Sequence, residues 1–176
     1  MRKIVLYIAI SLDGKIARLD GSVDWLDAIP NPDKLDYGYS DFYKSFDTTL
    51  QGYNTYQTIL NFGIPFPYPD KKNYVFTSKT NLENTEYVDF VSGDIISFIQ
   101  NLKNEEGKDI WLIGGGKLNT SLFNAGLIDE FHVFVMPIVV GEGIPLFDMV
   151  PNETMLRLTG SATFSSGVIA LNYVKI

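Results

Sequence analysis

Runs of apolar residues separated by short polar or glycine-containing breaks predict strands that alternate with helices along most of the chain. The first run, at 3–10, is rich in isoleucine and valine and is typical of a buried strand. Similar runs predict further strands at 48–52, 73–77, 87–91, 109–113, 130–136, 155–164 and 168–175. Apolar residues at helical spacing predict helices at 36–46, 54–61, 94–105 and 117–125.

The order of these elements predicts an α/β fold. Strands that alternate with helices form parallel sheets, because each crossover helix returns the chain to the same end of the sheet. The last two predicted strands are joined by Ser165-Ser166-Gly167, a turn signal that favours an antiparallel hairpin. We therefore expect a mostly parallel sheet, covered by helices on both faces, with an antiparallel edge.

The composition is typical of a globular protein. The 176 residues suit a single domain spanning 1–176, and a hydrophobic content of 45% excludes disorder. The sequence has no cysteine, which excludes disulfides and a cysteine nucleophile. The one histidine, His132, cannot alone supply the ligands of a zinc site, so we expect no metal.

The charge argues against nucleic acid as a partner. The formal net charge is −7, and an acidic surface repels phosphate backbones. The apolar start at 4–10 is too short for a membrane span and lacks a signal cleavage pattern. We therefore expect a cytoplasmic protein whose partner is a small molecule rather than nucleic acid or a membrane.

The strongest candidate site is Ile113-Gly114-Gly115-Gly116-Lys117-Leu118, where a predicted strand meets a predicted helix. Glycines let a ligand approach the backbone, and a helix N-terminus offers free N–H groups with a partial positive charge. Together they can bind a pyrophosphate. The motif is not G-x-G-x-x-G, and a tight strand–helix turn without a ligand explains it equally well.

Two further motifs also stand at the ends of predicted strands. Gly52-Tyr53-Asn54-Thr55 begins a helix, where Asn54 or Thr55 either caps the helix or contacts a phosphate. Thr77-Ser78-Lys79 suits a phosphate or an ordinary polar loop. Because open parallel sheets bind ligands at the carboxyl ends of their strands, the shared position of these motifs and of 11–14 predicts one binding site.

Four segments together resemble proteins of the dihydrofolate-reductase-like superfamily, in particular the reductase domain of the riboflavin-biosynthesis deaminase–reductase. The segments are IAISLDGKIA at 8–17, FDTTLQGYNTY at 46–56, IGGGKL at 113–118 and PIVVGEGIPLF at 137–147. They occur in the family's order and span nearly the whole chain. The resemblance implies a three-layer fold with a central mixed sheet of about eight strands and helices on both faces.

The resemblance also implies that the protein binds NADPH. By their match to the family motifs, Ala9, Ile16 and Ala17 are expected beside the nicotinamide. The other expected cofactor contacts are Gly52, Asn54 and Thr55 at the pyrophosphate and ribose, Tyr53, Thr77, Ser78 and Lys79 around the adenosine 2′-phosphate, and Ile113, Gly114, Gly115, Gly116, Lys117 and Leu118 at the pyrophosphate.

The sequence departs from the family pattern at two places. The family usually has arginine at the position of Tyr53, where it grips the 2′-phosphate. Tyrosine has no charge, so NADH is possible in place of NADPH, and Lys79 is a candidate for the missing cation. Dihydrofolate reductases pair an acid, matched by Asp36 or Asp41, with a threonine, whose position Phe134 occupies. Folate is therefore not favoured as the substrate.

Few other side chains point to catalysis. Asp13 and Asp36 are weak candidates for a catalytic role, because Asp-Gly pairs favour turns and acids at 36 and 41 favour a helix start. The position of the lone His132 within a strand favours a structural or surface role for it. Tyr7, Trp25 and Phe62 are expected in the core, with the wall of the substrate cleft as the alternative position for Trp25. The tyrosines of 31–43 are expected either in the core or in the wall of an aromatic pocket.

The expected activity is that of an NADP-dependent oxidoreductase that transfers a hydride to a small heterocycle, as in 5-amino-6-(5-phosphoribosylamino)uracil reductase of riboflavin biosynthesis. The alternatives are dihydrofolate reductase proper and a non-catalytic dinucleotide-binding protein of the same fold. Of the three arginines, Arg18 is, with Lys15, nearest to the motifs and could bind a substrate phosphate. Because the family often dimerises through sheet edges, we expect a homodimer.

Overall fold

The structure is a computed structural model that describes residues 1–151 and 153–176. In chain order its strands are β1 (Ile4–Ser11), β2 (Lys15–Ala17), β3 (Phe46–Gly52), β4 (Lys72–Phe76), β5 (Val88–Val91), β6 (Asp109–Gly114), β7 (Glu130–Met136), β8 (Ile144–Pro145), β9 (Leu156–Thr163) and β10 (Ile169–Lys175). Its helices are α1 (Tyr39–Ser45), α2 (Tyr53–Leu60), α3 (Ile95–Asn104) and α4 (Gly116–Asn124), and a short 3-10 turn spans Asp24–Leu26. All the predicted strands and helices are present, with bounds within three residues of those expected.

Eight of the strands form one sheet, in the order β5-β4-β3-β6-β1-β7-β10-β9. The strands from β5 to β7 pair in parallel, whereas β10 pairs antiparallel with both β7 and β9. The predicted parallel sheet with an antiparallel edge is confirmed. The parallel order also brings the carboxyl ends of β4, β3, β6 and β1 into succession along one edge of the sheet.

One face of the sheet is covered by α3 and α4. Successive side chains of a strand point to opposite faces, so Ile4 and Leu6 of β1 share this face with Leu112 of β6. They pack with Ile99 of α3 and Leu122 of α4 in a fully buried aliphatic cluster. Burying a side chain of this size contributes roughly 1.5–3 kcal/mol.

The opposite face is more aromatic and is covered by α1 and α2. Phe46 and Trp111 are buried there against Ile59 of α2, with Tyr7 and Phe42 packed beside them. Helices therefore lie on both sides of the sheet, which confirms the expected three-layer α/β fold.

The structure differs from expectation in short or terminal segments. β2 and β8 form a separate two-stranded sheet that was not predicted, because two or three residues show no periodicity. Phe46 begins β3 instead of ending the preceding helix. The prediction that Phe62 lies in the core is wrong: α2 ends at Leu60, and Phe62 follows in a turn with 49% of its surface exposed. Trp25 is buried as expected.

Candidate active site

The predicted phosphate-binding motifs lie side by side at the carboxyl edge of the sheet. In register, Gly52 at the end of β3 is opposite Phe76 at the end of β4, and Gln51 is opposite Gly114 at the end of β6. Thr77 follows β4 directly. The structure thus brings three motifs that are distant in sequence to one edge.

Two helices begin at this edge without a side-chain cap. Gly52 is the N-cap residue of α2 and Gly115 that of α4, and glycine has no side chain to accept a hydrogen bond from the first-turn amides. By contrast, α3 begins at Asp94, whose carboxylate accepts a hydrogen bond from the Ser97 amide at 3.1 Å. The starts of α2 and α4 therefore offer amide donors and a partial positive charge that suit an anion.

The two helix starts meet at Gly115. A Cβ atom added there would lie 3.0 Å from Thr55 Oγ1 of α2, so a larger residue would crowd the space between the helices. A Cβ atom added to Gly116 would lie 2.6 Å from the carbonyl oxygen of Pro145, which leaves room only for glycine. The peptide bond between Gly114 and Gly115 is cis. Glycine at 115 and 116 keeps this corner free of side chains of its own.

The remaining predicted cofactor residues take different positions. Ala9 is half-buried in β1 and Ile16 half-buried in β2, whereas Ala17 is buried and pairs with Ile144. Leu118 packs in the aliphatic core, so only its backbone is available to a ligand. The solvent-exposed members of the predicted set are Asn54, Ser78, Lys79 and Lys117.

Lys79 lies beside the position at which the family arginine is missing. Its Nζ atom is 4.2 Å from the centroid of the Tyr53 ring, in a cation–π contact. Its backbone amide donates a hydrogen bond to Thr77 Oγ1 at 3.1 Å. Tyr53 and Lys79 therefore form one polar patch where the ends of β3 and β4 meet.

Asp13 joins two loops. Its carboxylate accepts hydrogen bonds from the amides of Val140 at 2.9 Å and Gly141 at 2.8 Å, and from the Ser11 hydroxyl at 2.7 Å. The hydrogen bond from Ser11, followed by those from the two amides, lowers the pKa of Asp13 to about 2. The carboxylate thereby holds the 137–147 segment against the loop that follows β1.

The other acidic candidates serve the start of α1. Asp36 accepts hydrogen bonds from the amides of Gly38 at 3.0 Å and Ser40 at 3.1 Å. The Ser40 side chain and these amides lower the pKa of Asp36 below its ordinary value. Asp41 is exposed and pairs with Lys44 at 3.0 Å. Both acids have the positions expected of helix-start residues.

An open cleft of about 370 Å³ lies between α1 and the strands β1, β7, β10 and β9. Neither Ala9 nor the glycine corner lines it, although Phe134, which is opposite Ala9 in register, does. The described residues that line it are mainly aromatic and include no lysine, arginine, aspartate or glutamate. They are Tyr7, Tyr37, Gly38, Phe42, Ser45, His132, Phe134, Ala162, Phe164, Ala170 and Asn172. Tyr37 thus contributes to a pocket wall, one of the two positions expected for the tyrosines of 31–43. Burial, followed by the nearby charge of Asp36, raises the pKa of Tyr7, so its hydroxyl stays protonated.

Sequence reasoning missed several residues of this region. His132 was expected to be structural or at the surface, yet it lines the cleft. Gln51 was not singled out, although it is fully buried next to Gly52 and both polar atoms of its side chain lack a hydrogen-bond partner among the described residues. No periodicity or motif marks a buried glutamine, but a polar residue within an apolar strand just before a glycine is a signal that could have identified it.

None of the helices in residues 1–151 and 153–176 combines the length and apolarity needed to cross a membrane.

The fold is of the dihydrofolate-reductase-like α/β class. The dihydrofolate reductase of Enterococcus faecalis, solved with NADP(H), superposes with a TM-score of 0.70 at 17% identity, over 98% of this chain and 96% of the enzyme. A deaminase/reductase from Thermotoga maritima superposes with a TM-score of 0.73 at 19% identity, over 99% of this chain and 57% of the enzyme. At these identities the likeness establishes the fold.

A family model described as the RibD C-terminal domain matches residues 68–170. The uncharacterized protein YwjB of Bacillus subtilis (strain 168) is 45% identical over 174 residues, which are 99% of this chain and 98% of YwjB. A candidate riboflavin biosynthesis protein from Shewanella sp. PV-4 has a TM-score of 0.89 at 28% identity, over 100% of this chain and 99% of that one. The chain therefore belongs to the RibD C-terminal domain family, which confirms the resemblance seen in the sequence.

Proposed function

We propose that the protein is an NADPH-dependent reductase that transfers a hydride to a small heterocyclic substrate. The observation that carries the proposal is the meeting of two glycine-started helices at the carboxyl edge of the sheet, with Gly115 facing Thr55. Membership of a reductase-like family and the presence of NADP(H) in the Enterococcus faecalis enzyme of the same fold support it.

The residues present fit a dinucleotide. The first-turn amides of α2 and α4 and the Thr55 hydroxyl would hold the diphosphate, and the glycine at 116 is required by the adjacent Pro145 carbonyl. Bound NADPH would supply the hydride. The chain orients the two reactants and excludes water, with Ala9 expected at the nicotinamide and the aromatic cleft beside it for the acceptor.

Binding of the nucleotide tests the proposal directly. Purified protein is titrated with NADPH and with NADH, and the nucleotide fluorescence is followed. We expect saturable binding of NADPH and a weakening of about tenfold in Thr55→Val, since a hydrogen bond to a charged group contributes about 1.5–3 kcal/mol.

Thr58→Val is the matched control, because Thr58 lies one turn further along α2, where its hydroxyl is 3.4 Å from the Gly21 carbonyl. This variant is expected to bind NADPH as the wild type does. If neither NADPH nor NADH bound to the wild-type protein, the proposed function would be overturned. Binding without oxidation of NADPH by any heterocycle would leave a non-catalytic dinucleotide-binding protein in its place.

A further inference from the structure

A buried carboxamide lies beside the glycine corner that Gly114, Gly115 and Gly116 form. Gln51 is the last residue but one of β3, and none of its surface is exposed. Neither the oxygen nor the nitrogen of its side chain has a hydrogen-bond partner among the described residues. Because removal of an amide from water without a replacement hydrogen bond is unfavourable, this side chain opposes folding in the unliganded protein.

The buried threonines of the same strand are satisfied. Thr48 Oγ1 accepts a hydrogen bond from Arg2 at 2.6 Å, and Thr49 Oγ1 donates one to Asn73 Oδ1 at 2.8 Å. The Asn73 amide nitrogen in turn contacts three backbone carbonyl oxygens at 2.8–2.9 Å. The earlier part of β3 therefore follows the rule that buried polar groups are paired, and Gln51 at its carboxyl end departs from it.

The strand register places Gln51 at the level of the proposed nucleotide site. Gln51 lies opposite Gly114 of β6 and precedes Gly52, the N-cap residue of α2. Leu50 packs in the aliphatic cluster with α3 and α4, and successive side chains of a strand point to opposite faces. The Gln51 amide therefore lies on the face of the sheet that α2 covers.

A second buried amide lies on the α4 side of Gly114. Asn119 of α4 donates a hydrogen bond from Nδ2 to the Leu146 carbonyl at 3.2 Å, whereas its Oδ1 atom has no partner in the part of the chain that the structure describes. This oxygen is 3.1 Å from the place that a Cβ atom on Gly114 would take. Four buried side-chain atoms of the described residues lack a partner, and three of them belong to Gln51 and Asn119. The unused hydrogen-bonding capacity of the interior is thus concentrated around one glycine.

Stability does not explain a glutamine at position 51. A methionine has a similar length and would fill the space without burying an unpaired polar group. Proteins depart from the rule of paired polar groups mainly at functional sites. A diphosphate held by the first-turn amides of both α2 and α4 would draw these two helix starts together around Gly114, and the two spare amides lie between them.

We propose that Gln51, together with Asn119, is a positioning residue of the glycine corner that gains its hydrogen bonds only when the diphosphate of a nucleotide draws the starts of α2 and α4 together. Because its amide is fully buried, Gln51 acts through the backbone of the corner and does not touch the nucleotide. The unpaired amide destabilises the unliganded protein, and its pairing in the bound protein adds to the affinity for the nucleotide. The inference rests on the reductase function proposed above and assigns to that site a residue that lies behind it.

Exchange of the amide for an apolar side chain of similar length should change stability and affinity in opposite directions. Gln51→Met is expected to raise the Tm of the unliganded protein by about 3 °C, because the unpaired amide is removed. It is also expected to raise the dissociation constant of NADPH about tenfold, because the hydrogen bonds of the bound state are lost. Thermal unfolding and nucleotide fluorescence measure the two quantities. Replacement of a purely structural residue would instead lower the Tm and leave the dissociation constant unchanged.

Gln100→Met is the matched control, because Gln100 is exposed on α3, where the same exchange should leave both quantities unchanged. Gln51→Leu is a second apolar variant with the same expected pair of shifts, for use if Gln51→Met does not fold. An equal or lower Tm of the folded variant, or an unchanged dissociation constant, would overturn the inference. Failure of both variants to fold would show that the unliganded protein needs this amide, and would overturn it too.

A double variant tests the place at which Gln51 acts. The Thr55 hydroxyl in the first turn of α2 is expected at the diphosphate, so Gln51→Met and Thr55→Val should weaken the same interaction. We expect the double variant to bind NADPH no more than about thirtyfold more weakly than the wild type, whereas two independent effects of about tenfold would multiply to about a hundredfold. A loss of about a hundredfold would show that Gln51 acts elsewhere and would overturn the assignment to the corner.

The wild-type titration separates this inference from the proposed function. If the wild type and Gln51→Met bind NADPH equally well, the reductase function stands and only the role of Gln51 falls. If the wild type binds neither NADPH nor NADH, the proposed function falls, and the role of Gln51 falls with it.

Discussion

At the scale of single residues, Tyr53 and Lys79 explain how a positive charge can persist without the family arginine. The sequence shows only that tyrosine occupies the arginine position. In the structure, Lys79 reaches the same place from the end of the neighbouring strand and lies 4.2 Å from the Tyr53 ring centroid. A cation–π contact at an exposed site contributes about 0.5–1 kcal/mol, enough to favour this side-chain position over free solvation.

Lys79→Ala should therefore reduce the preference for NADPH over NADH. We expect NADPH to bind about fivefold more weakly, because an exposed ion pair contributes up to about 1 kcal/mol, whereas NADH binding should not change. Both dissociation constants are measured by nucleotide fluorescence, with the exposed Lys44→Ala as the control. An unchanged affinity ratio would assign the 2′-phosphate to another group.

At the scale of elements, Asp13 joins the loop after β1 to the 137–147 segment. That segment also supplies Pro145, whose carbonyl packs on Gly116, so it forms one wall of the glycine corner. The three hydrogen bonds to the Asp13 carboxylate therefore act on the shape of the proposed cofactor site through the 137–147 segment. Asp13 is thus a positioning residue in this arrangement.

The lowered pKa of Asp13 predicts a defined pH dependence. Its folded-state pKa of about 2 lies below the usual 3.8, so the ionised carboxylate stabilises the fold above about pH 4 and this contribution is lost as the pH falls towards 2. Asp13→Asn should lower the Tm at pH 7, and the difference from the wild type should shrink between pH 4 and pH 2. Thermal unfolding at a series of pH values measures this, with the exposed Asp27→Asn as the control. A difference independent of pH would contradict the prediction.

The sequence patterns predict single elements better than they predict the pairing between short, distant elements. Strand β7 was predicted at its observed bounds, since a segment with five apolar residues out of seven identifies a strand without tertiary information. The common edge of the glycine motifs followed from the rule for parallel strands. The pairing of β2 with β8 did not, because Lys15 and Pro145 are far apart in sequence and their strands are too short for a pattern.

The cleft could not be predicted from the sequence, for a related reason. Only the strand register places His132 opposite Asn172 and Ala9 opposite Phe134, and register between distant strands depends on the packing of the whole sheet. Taken alone, Ala9, His132 and Asn172 are typical of half-buried strand positions and Phe134 of a buried one. Phe62 illustrates the opposite error: its apolar character favoured burial, but the end of α2 two residues earlier leaves it in an exposed turn.

At the scale of the whole molecule, the two edges of the sheet differ. The edge strand β5 has four residues, whereas β9 has eight, is the first strand of the closing hairpin and has no strand paired to its outer side among the described residues. Leu158 on β9 is 50% exposed. A long edge strand with an exposed leucine is a ready partner for a second strand, and proteins that remain monomeric normally protect such edges.

We propose that two copies of the chain associate through β9 and so form the homodimer that the family resemblance leads us to expect. Two copies of one strand can pair antiparallel about a two-fold axis. This pairing closes the assembly and gives hydrogen-bond partners to the free N–H and C=O groups of both edge strands.

Sedimentation equilibrium should then give a mass of about 40 kDa, twice the 19.8 kDa of one chain. Leu158→Lys should shift the equilibrium to the monomer, because a buried unpaired ammonium opposes association, while Leu60→Lys, at the similarly exposed end of α2, should remain dimeric. A wild-type mass of one chain at micromolar concentration would refute the dimer, and a dimer that persists in Leu158→Lys would move the interface away from β9.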